Sequence, residues 1–326
     1  MIISKTPLRI SFVGGGSDLE SFYKYQPGAV VSTAIDKYMH VAVAKRFDGK
    51  IHVAYSKVEI VEKLSELQHN LARETLKFLN IKKGIEVFPI CDIPADTGLA
   101  TSAAYTVGLL NSLYTYKGIH PSISKLASDA CVIEIQKAKR KIGKQDQYAV
   151  AYGGINFIRF ATNGEVKVEP IKLSKSKIGQ MEKNFLLFYT GRSGLSTKIL
   201  NKQSAVMEQK KKRLIVSKMV NIAYELKKEL GKGNIDSLGY LLHDNWLLKK
   251  QITESISNSY IDHLYETAMK SGAIGGKICG AGGRGFLLLY AQFETHPKII
   301  RSLSNLRKVD FTIEKSGTTI VYNDEL

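Results

Sequence analysis

The stretch Pro94-Ala95-Asp96-Thr97-Gly98-Leu99-Ala100-Thr101-Ser102-Ala103-Ala104 joins small side chains and hydroxyls to an apolar run beginning at Val107. A loop of this make-up leaves backbone N–H groups unpaired at a helix N-terminus, where the macrodipole favours negative charge. The chemistry it suits is the holding of phosphate, although the same letters also suit a turn with a Ser/Thr cap. A second candidate is Glu134. The stripe Leu126, Ala127, Ala130 and Cys131 in a helix from Ser122 continues to position 134 at helical spacing, so its carboxylate points inward. A buried carboxylate must be paired or must bind a cation, and an internal salt bridge to Lys or Arg satisfies that requirement as well as a metal does. A third is Asp146 in Gly143-Lys144-Gln145-Asp146-Gln147-Tyr148, flanked by amides and preceded by a lysine able to hold it ionised.

Two glycine-rich turns could bring further groups to these. Thr6 to Val13 reads as a strand with Leu8, Ile10 and Phe12 on one face and Arg9 on the other. It ends in Gly14-Gly15-Gly16-Ser17-Asp18, a sharp turn expected to bring Arg9 and Asp18 together. Near the C-terminus, Gly276-Lys277-Ile278-Cys279-Gly280-Ala281-Gly282-Gly283-Arg284-Gly285 precedes the apolar strand Phe286 to Tyr290. Gly280 to Gly285 spells G-x-G-x-x-G, but a dinucleotide fingerprint must open a helix, and here a strand follows. No G-x-x-x-x-G-K-[ST] occurs, which excludes a P-loop.

Composition narrows the classes. The chain has 326 residues, 44% hydrophobic and 24% charged, and no apolar run long enough to span a bilayer. Ser4, Lys5, Pro7 and Arg9 interrupt the N-terminus, so no secretory signal is visible and a cytoplasmic location is expected. Cys91, Cys131 and Cys279 are odd in number and far apart, as buried apolar groups in a reducing compartment would be. The seven histidines lack metal-ligand spacing. Lys and Arg outnumber Asp and Glu by 47 to 30, a net charge of +17 that favours anionic partners. The run Lys137-Ala138-Lys139-Arg140-Lys141 lies just before the Asp146 motif, whereas Lys210 to Arg213 reads as a solvated helix face. No basic stripe interleaved with aromatics supports nucleic-acid binding.

The elements that must position these residues read as mixed helix and strand. Tyr38 to Phe47 and Lys50 to Tyr55 form a hairpin about Asp48-Gly49; Val58 to Leu79 carries helical spacing; Ile85 to Ile90 is a strand. A second hairpin turns at Asn163-Gly164 between Gly154 to Phe160 and Glu165 to Ile171. The lysine-rich stretch Leu173 to Lys183 reads as a seam. Beyond it lie a strand at Phe185 to Tyr189, long helices from about Ser196 to Gly231 and Ile235 to Glu254, and a helix ending at Gly272. A last strand near Phe311 and Thr319 to Tyr322 completes a second α+β layer. Hairpins plus segregated helices argue against a doubly wound parallel sheet.

The three motifs, their order and their separations together resemble the GHMP kinases, the superfamily of galactokinase, homoserine kinase, mevalonate kinase and phosphomevalonate kinase. Residues 7–18 and 143–148, with Tyr189-Thr190-Gly191-Arg192 and Leu242 to Lys250, resemble the heptose 7-phosphate kinase branch. The resemblance implies an α+β fold of two domains, 1–175 and 176–326. The first would be ribosomal-protein-S5-domain-2-like and the second ferredoxin-like, with the active site between them. It implies ATP on Pro94 to Ala104, Mg²⁺ on Ser102 and Glu134, and Asp146 as the group that orients or deprotonates a sugar hydroxyl, with Lys144 and Arg9 beside it. Gly15, Gly16, Ser17 and Asp18, with Gly280, Ala281, Gly282, Gly283 and Arg284, would face the sugar, and Arg192 would grip a distal phosphate. The implied partners are ATP and a small sugar phosphate, with neither nucleic acid nor membrane, and a homodimer is left open.

The sequence departs from the family pattern Gly-Leu-Gly-Ser-Ser, which here reads Gly98-Leu99-Ala100-Thr101-Ser102. Asp96 stands where a small neutral residue is expected, and Arg284 replaces a glycine. Alanine at a position needing positive φ costs on the order of 1 kcal/mol. Three functions follow: a heptose 7-phosphate kinase acting at the anomeric hydroxyl, an anomeric kinase for an unphosphorylated sugar such as fucose, or a nucleotide-binding protein that has lost turnover.

Overall fold

The computed structural model describes residues 1–191 and 196–324. Twelve strands among them form two sheets. The larger is built on β1 (Ile2–Val13) and β2 (Gly28–Lys45), which pair antiparallel along their length. A register shift between Pro7 and Leu8 bends the pair, so that β2 serves two neighbours. Its first half pairs with β6 (Ile155–Phe160), itself joined to β7 (Val166–Pro170), and its second half pairs with β5 (Ile85–Cys91). Beyond β5 lie β3 (Ile51–Ala54), parallel to it, and β4 (Val58–Val61). The smaller sheet is antiparallel in the order β11 (Arg307–Lys308), β8 (Phe185–Gly191), β10 (Gly285–Ala291), β9 (Ala273–Ile278). The last strand, β12 (Thr319–Asn323), returns to pair with β1.

The helix Thr101–Tyr116 lies on β1 and β2 and is buried nearly all round, which is why Val107, Leu110, Leu113 and Tyr114 mark only one of its apolar stripes. Helices Lys210–Gly231 and Ser237–Lys250 sit between the two sheets, and Phe12 of β1 stacks on Phe185 of β8 with ring centroids 5.5 Å apart. One continuous apolar core therefore holds the two sheets in register, with β1 as the strand common to everything that follows.

Several elements differ from the sequence expectation, for local reasons. Asp48-Gly49 is a tight turn, with Arg46 clamped on Asp48, but its strands do not pair. The start of β5 enters between them, Arg46 N–H donating to Gly84 O and Gly84 N–H to Gly49 O. Val58 to Val61 is strand, not helix, as its β-branched residues prefer. The helix starts only at Asn70, capped by His69 Nδ1. The seam is a helix, Lys175–Lys183, capped by Ser174 and anchored by buried Met181. The single long helix is two, Ser196–Val206 and Lys210–Gly231. β9 is likewise a strand beyond the sequence expectation: a Cβ at Gly275 would lie 1.9 Å from Gly239 O and one at Gly276 2.3 Å from Leu288 O. Glycine here is the condition for the helix Ser237–Lys250 to lie flat on a strand. Finally, β12 belongs to the larger sheet instead of the second layer.

Candidate active site

A cavity of about 550 Å³ opens where the end of β1, the start of the helix Thr101–Tyr116 and the residues after β9 meet. That size suits a small organic ligand. On its wall is Asp146, in the first turn of the helix Gln145–Tyr152. Arg9, buried on β1, donates to Asp146 Oδ1 from Nε at 2.8 Å and from Nη2 at 2.6 Å, while its Nη1 donates to Gly98 O at 2.8 Å. One guanidinium thus ties the carboxylate to the phosphate-loop backbone. Oδ2 of Asp146 accepts none of these bonds, and the side chain stays 28% exposed on the cavity wall.

Along the loop, Ala95, Asp96, Gly98, Ala100, Thr101, Ser102 and Ala103 face the cavity. The first intrahelical bond is Ala104 N–H to Ala100 O, so the N–H groups of Thr101, Ser102 and Ala103 have no carbonyl behind them. No side chain caps this end. Ala100 adopts φ +65°, the conformation glycine would take, and so keeps the loop's course at the cost of left-handed strain. Asp96, at φ +62°, is exposed at the rim. Pro94, Thr97, Leu99 and Ala104 support the loop from behind: Thr97 Oγ1 donates to Pro94 O, and Leu99 O accepts from Arg9 N. A Cβ at Gly98 would fall 2.4 Å from Cys279 O, so the loop and the Cys279–Gly280 turn touch only because both are bare.

Glu134 is fully buried on a widened turn, Val132–Lys137, that follows the helix Ile123–Cys131. Such a π-type turn shifts the side-chain register, a device frequent at functional sites. Its Oε2 accepts from Arg140 Nη1 at 2.6 Å and its Oε1 from Gln147 Nε2 at 2.8 Å, and the Ser102 hydroxyl also bonds the carboxylate. Burial pushes the Glu134 carboxyl above its usual range, against the pull of Arg140. The internal salt bridge that the sequence allowed is therefore present. A magnesium ion still suits the donor set. Ser102 and Glu134 are hard oxygen donors bonded to each other at the start of the phosphate loop, Gln147 Oε1 is buried without a partner among the described residues, and Arg140, one third exposed, already sets a positive charge on the carboxylate.

Asp18 is buried, accepting from Gly16 N at 2.9 Å and Gln145 N at 3.3 Å. Burial, helped by Asp146, raises its pKa, and those two N–H groups oppose the rise. Gly15, Gly16, Gly280 and Ala281 line the cavity with it. Other expected residues lie elsewhere. Ser17 is closed to ligand, its hydroxyl bonded to Gly14 O and Ala29 O inside the turn. Lys144 does not reach Asp146: its Nζ donates to Gly164 O at 2.7 Å and sits over the Tyr23 ring, so among the described residues it is Arg9 that pairs with the carboxylate. Gly282 and Gly283 pack against Ile256, and Arg284 lies over Tyr260. Arg192 falls outside the described residues.

Two lysines on the cavity wall had no role assigned from sequence. Lys249 donates to Gly15 O at 3.0 Å and Lys277 to Ser11 O at 2.7 Å. Burial lowers their pKa values to about 8 and about 7. Lys249 was findable: Leu238, Leu241, Leu242, Asn245 and Trp246 form a buried stripe that it continues, the reasoning that located Glu134.

Comparison with known proteins accords with this geometry. Residues 61–154 match the signature of the GHMP kinases N terminal domain, and residues 226–306 that of the GHMP kinases C terminal region. The chain belongs to the GHMP kinases. It is 26% identical over 330 residues to the D-glycero-alpha-D-manno-heptose 7-phosphate kinase of Campylobacter jejuni, with 97% of each chain covered. It is 23% identical over 320 residues to the bifunctional fucokinase/GDP-fucose pyrophosphorylase of Arabidopsis thaliana, covering 90% of this chain and 30% of that one. Its fold superposes on the crystal structure of a D-glycero-D-manno-heptose 1-phosphate kinase from Bacteroides thetaiotaomicron with a TM-score of 0.79. The identity there is 22%, and the coverage is 99% of this chain and 100% of that one. The protein is an ATP-dependent kinase with the two-domain architecture of this family. Among the described residues no helix is long and apolar enough to cross a membrane.

Proposed function

We propose that this GHMP kinase transfers the γ-phosphoryl group of ATP to the anomeric (C1) hydroxyl of D-glycero-D-manno-heptose 7-phosphate, giving the 1,7-bisphosphate. The observation that carries the reading is the Arg9–Asp146 pair at the mouth of the phosphate loop, in a chain alignable end to end with the Campylobacter heptose 7-phosphate kinase. The acceptor hydroxyl lies against Asp146 Oδ2, which takes its proton as the sugar oxygen bonds to the γ-phosphorus. The bond from that phosphorus to the ADP oxygen breaks in line. The N–H groups of Thr101, Ser102 and Ala103 hold the phosphates without rearrangement at the moment of transfer.

Glu134 and Ser102 are the residues to hold magnesium, whose chemistry is to neutralise charge on the phosphate oxygens. Arg140, which donates to Glu134 Oε2, is the group with which a bound metal would compete for that oxygen. We place the domain boundary near residue 175, between β7 and β8, with β12 returning to the first sheet. ADP release measured across phosphorylated and unphosphorylated sugars tests the assignment. Strong preference for the heptose 7-phosphate is expected, and preference for a neutral sugar such as fucose overturns it.

A further inference from the structure

Lys249 and Lys277 are 4% and 1% exposed, yet among the described residues neither makes an ion pair. Each spends one donor on a backbone carbonyl and retains two. Arg9, by contrast, is consumed by Asp146 and Gly98 O. The same cavity is lined by residues whose buried polar atoms have no partner among the described residues: Ser11 Oγ, Gln145 Oε1 and Gln203 Oε1. Ser11 Oγ, Gln145 Nε2 and Lys249 Nζ all come within 3.5 to 3.7 Å of where a Gly15 Cβ would be, so these groups converge on one bare turn. Buried polar atoms are normally satisfied, and a cluster left open on a cavity wall marks a place for ligand. Asp18 and Asp146 act on the two ammonium groups only beyond ion-pair distance, so two buried positive charges without a direct carboxylate partner among the described residues define its sign.

β1 serves as a ruler. Arg9, on the phosphate-loop side, accounts for Gly98 and Leu99; Ser11, about 6.6 Å further along at strand rise, holds Lys277, and the turn at Gly15 holds Lys249. The lysines therefore stand beyond Asp146, on the acceptor's side of the transfer point.

We propose that Lys249 and Lys277 are a specificity clamp for a negatively charged group carried by the acceptor itself, with Ser11, Gln145 and Gln203 taking its neighbouring hydroxyls. The clamp rests on the reading of this cavity as the kinase site and names the acceptor class as an anionic sugar, a sugar phosphate above all.

The test is steady-state ADP release by the full chain and its Lys249→Met and Lys277→Met variants, with heptose 7-phosphate, hexose 6-phosphates and the unphosphorylated parent sugars as acceptors. Each substitution should raise KM for the phosphorylated acceptor roughly 10- to 100-fold, the worth of a hydrogen bond to a charged group, and shift KM for ATP by less than about threefold. The preference for phosphorylated over parent sugar should fall by a like factor. An equal rise in KM for ATP assigns the lysines to the transferring phosphoryl group and overturns the clamp, as does an unchanged acceptor KM. Should the variants not fold, thermal melting of wild-type protein without nucleotide decides: stabilisation by sugar phosphate but not by parent sugar supports the clamp, and equal shifts refute it. A wild-type enzyme that prefers another anionic sugar leaves the clamp standing and removes the heptose assignment. Turnover of the heptose phosphate with unaltered KM in both variants does the reverse.

Discussion

Arg9 and Asp146 meet on a single oxygen: Nε and Nη2 of the guanidinium both donate to Oδ1, at 2.8 and 2.6 Å, and neither bonds Oδ2 of this cavity-lining side chain. The carboxylate is thereby fixed in orientation while Oδ2 is left free of the guanidinium, as the proposed proton transfer requires. Because Arg9 Nη1 also holds Gly98 O, the same side chain sets the distance between that oxygen and the phosphate loop.

Arg9→Lys is the direct probe of this arrangement. An ammonium cannot reproduce the fork that spans Asp146 and Gly98, so kcat should fall about 10- to 100-fold and stability by about 1–3 kcal/mol. Turnover and urea unfolding measure the two effects, and a wild-type kcat would separate the pair from the chemistry.

Glu134→Gln distinguishes the two partners available to that carboxylate. If the group serves the metal, the magnesium concentration for half-maximal rate rises at least about tenfold, as loss of a ligand contact does elsewhere. An unchanged magnesium requirement would limit Glu134 to its pairing with Arg140.

Ala100→Gly should stabilise the protein. Relief of the left-handed strain at φ +65° outweighs the extra freedom of glycine in the unfolded chain, for a net gain of about 0.5–1 kcal/mol. Melting should move up by about 1–3 °C, and a lower melting point would show that the alanine methyl group is needed for packing.

The buried lysines give the enzyme a pH signature. Lys277 titrates near 7 facing Arg9, Asp146, Lys249 and Cys279, and Lys249 near 8 facing Arg9, Asp18 and Asp146. Binding of an anionic acceptor needs them charged, so kcat/KM for that acceptor should fall as pH rises through 7 to 8, read as a pH–rate profile. Stability runs the other way. In the unfolded chain both lysines hold their protons to about pH 10.4, so between about 7 and 10.4 the unfolded state binds more protons and these groups favour folding increasingly as pH rises. A flat kcat/KM profile for the anionic acceptor would contradict the assignment.

The sequence carried the site further than it carried the topology. Small residues before Val107, a carboxylate on an apolar stripe and a strand ending in glycines are local signals, and they locate Ser102, Glu134 and Arg9. Strand partners are not local: nothing in Asp48-Gly49 says that β5, beginning only at Ile85, will enter between its flanking strands. Nor does Gly275-Gly276 read as strand until a helix is seen lying on it. Lys144 and Lys249 exchange their expected importance for the same reason. The first is next to Asp146 in sequence but turned to Gly164, and the second is brought to the cavity by its helix.

Asp146→Asn, assayed for sugar-dependent ADP release alongside nucleotide binding, tests the central claim most directly. The amide keeps the shape of the carboxylate but cannot accept the proton, so turnover on the preferred acceptor should drop about 10²- to 10⁴-fold with ATP still bound. Turnover within a few-fold of wild type would mean that the oxygen held beside Arg9 is not where the acceptor's proton goes.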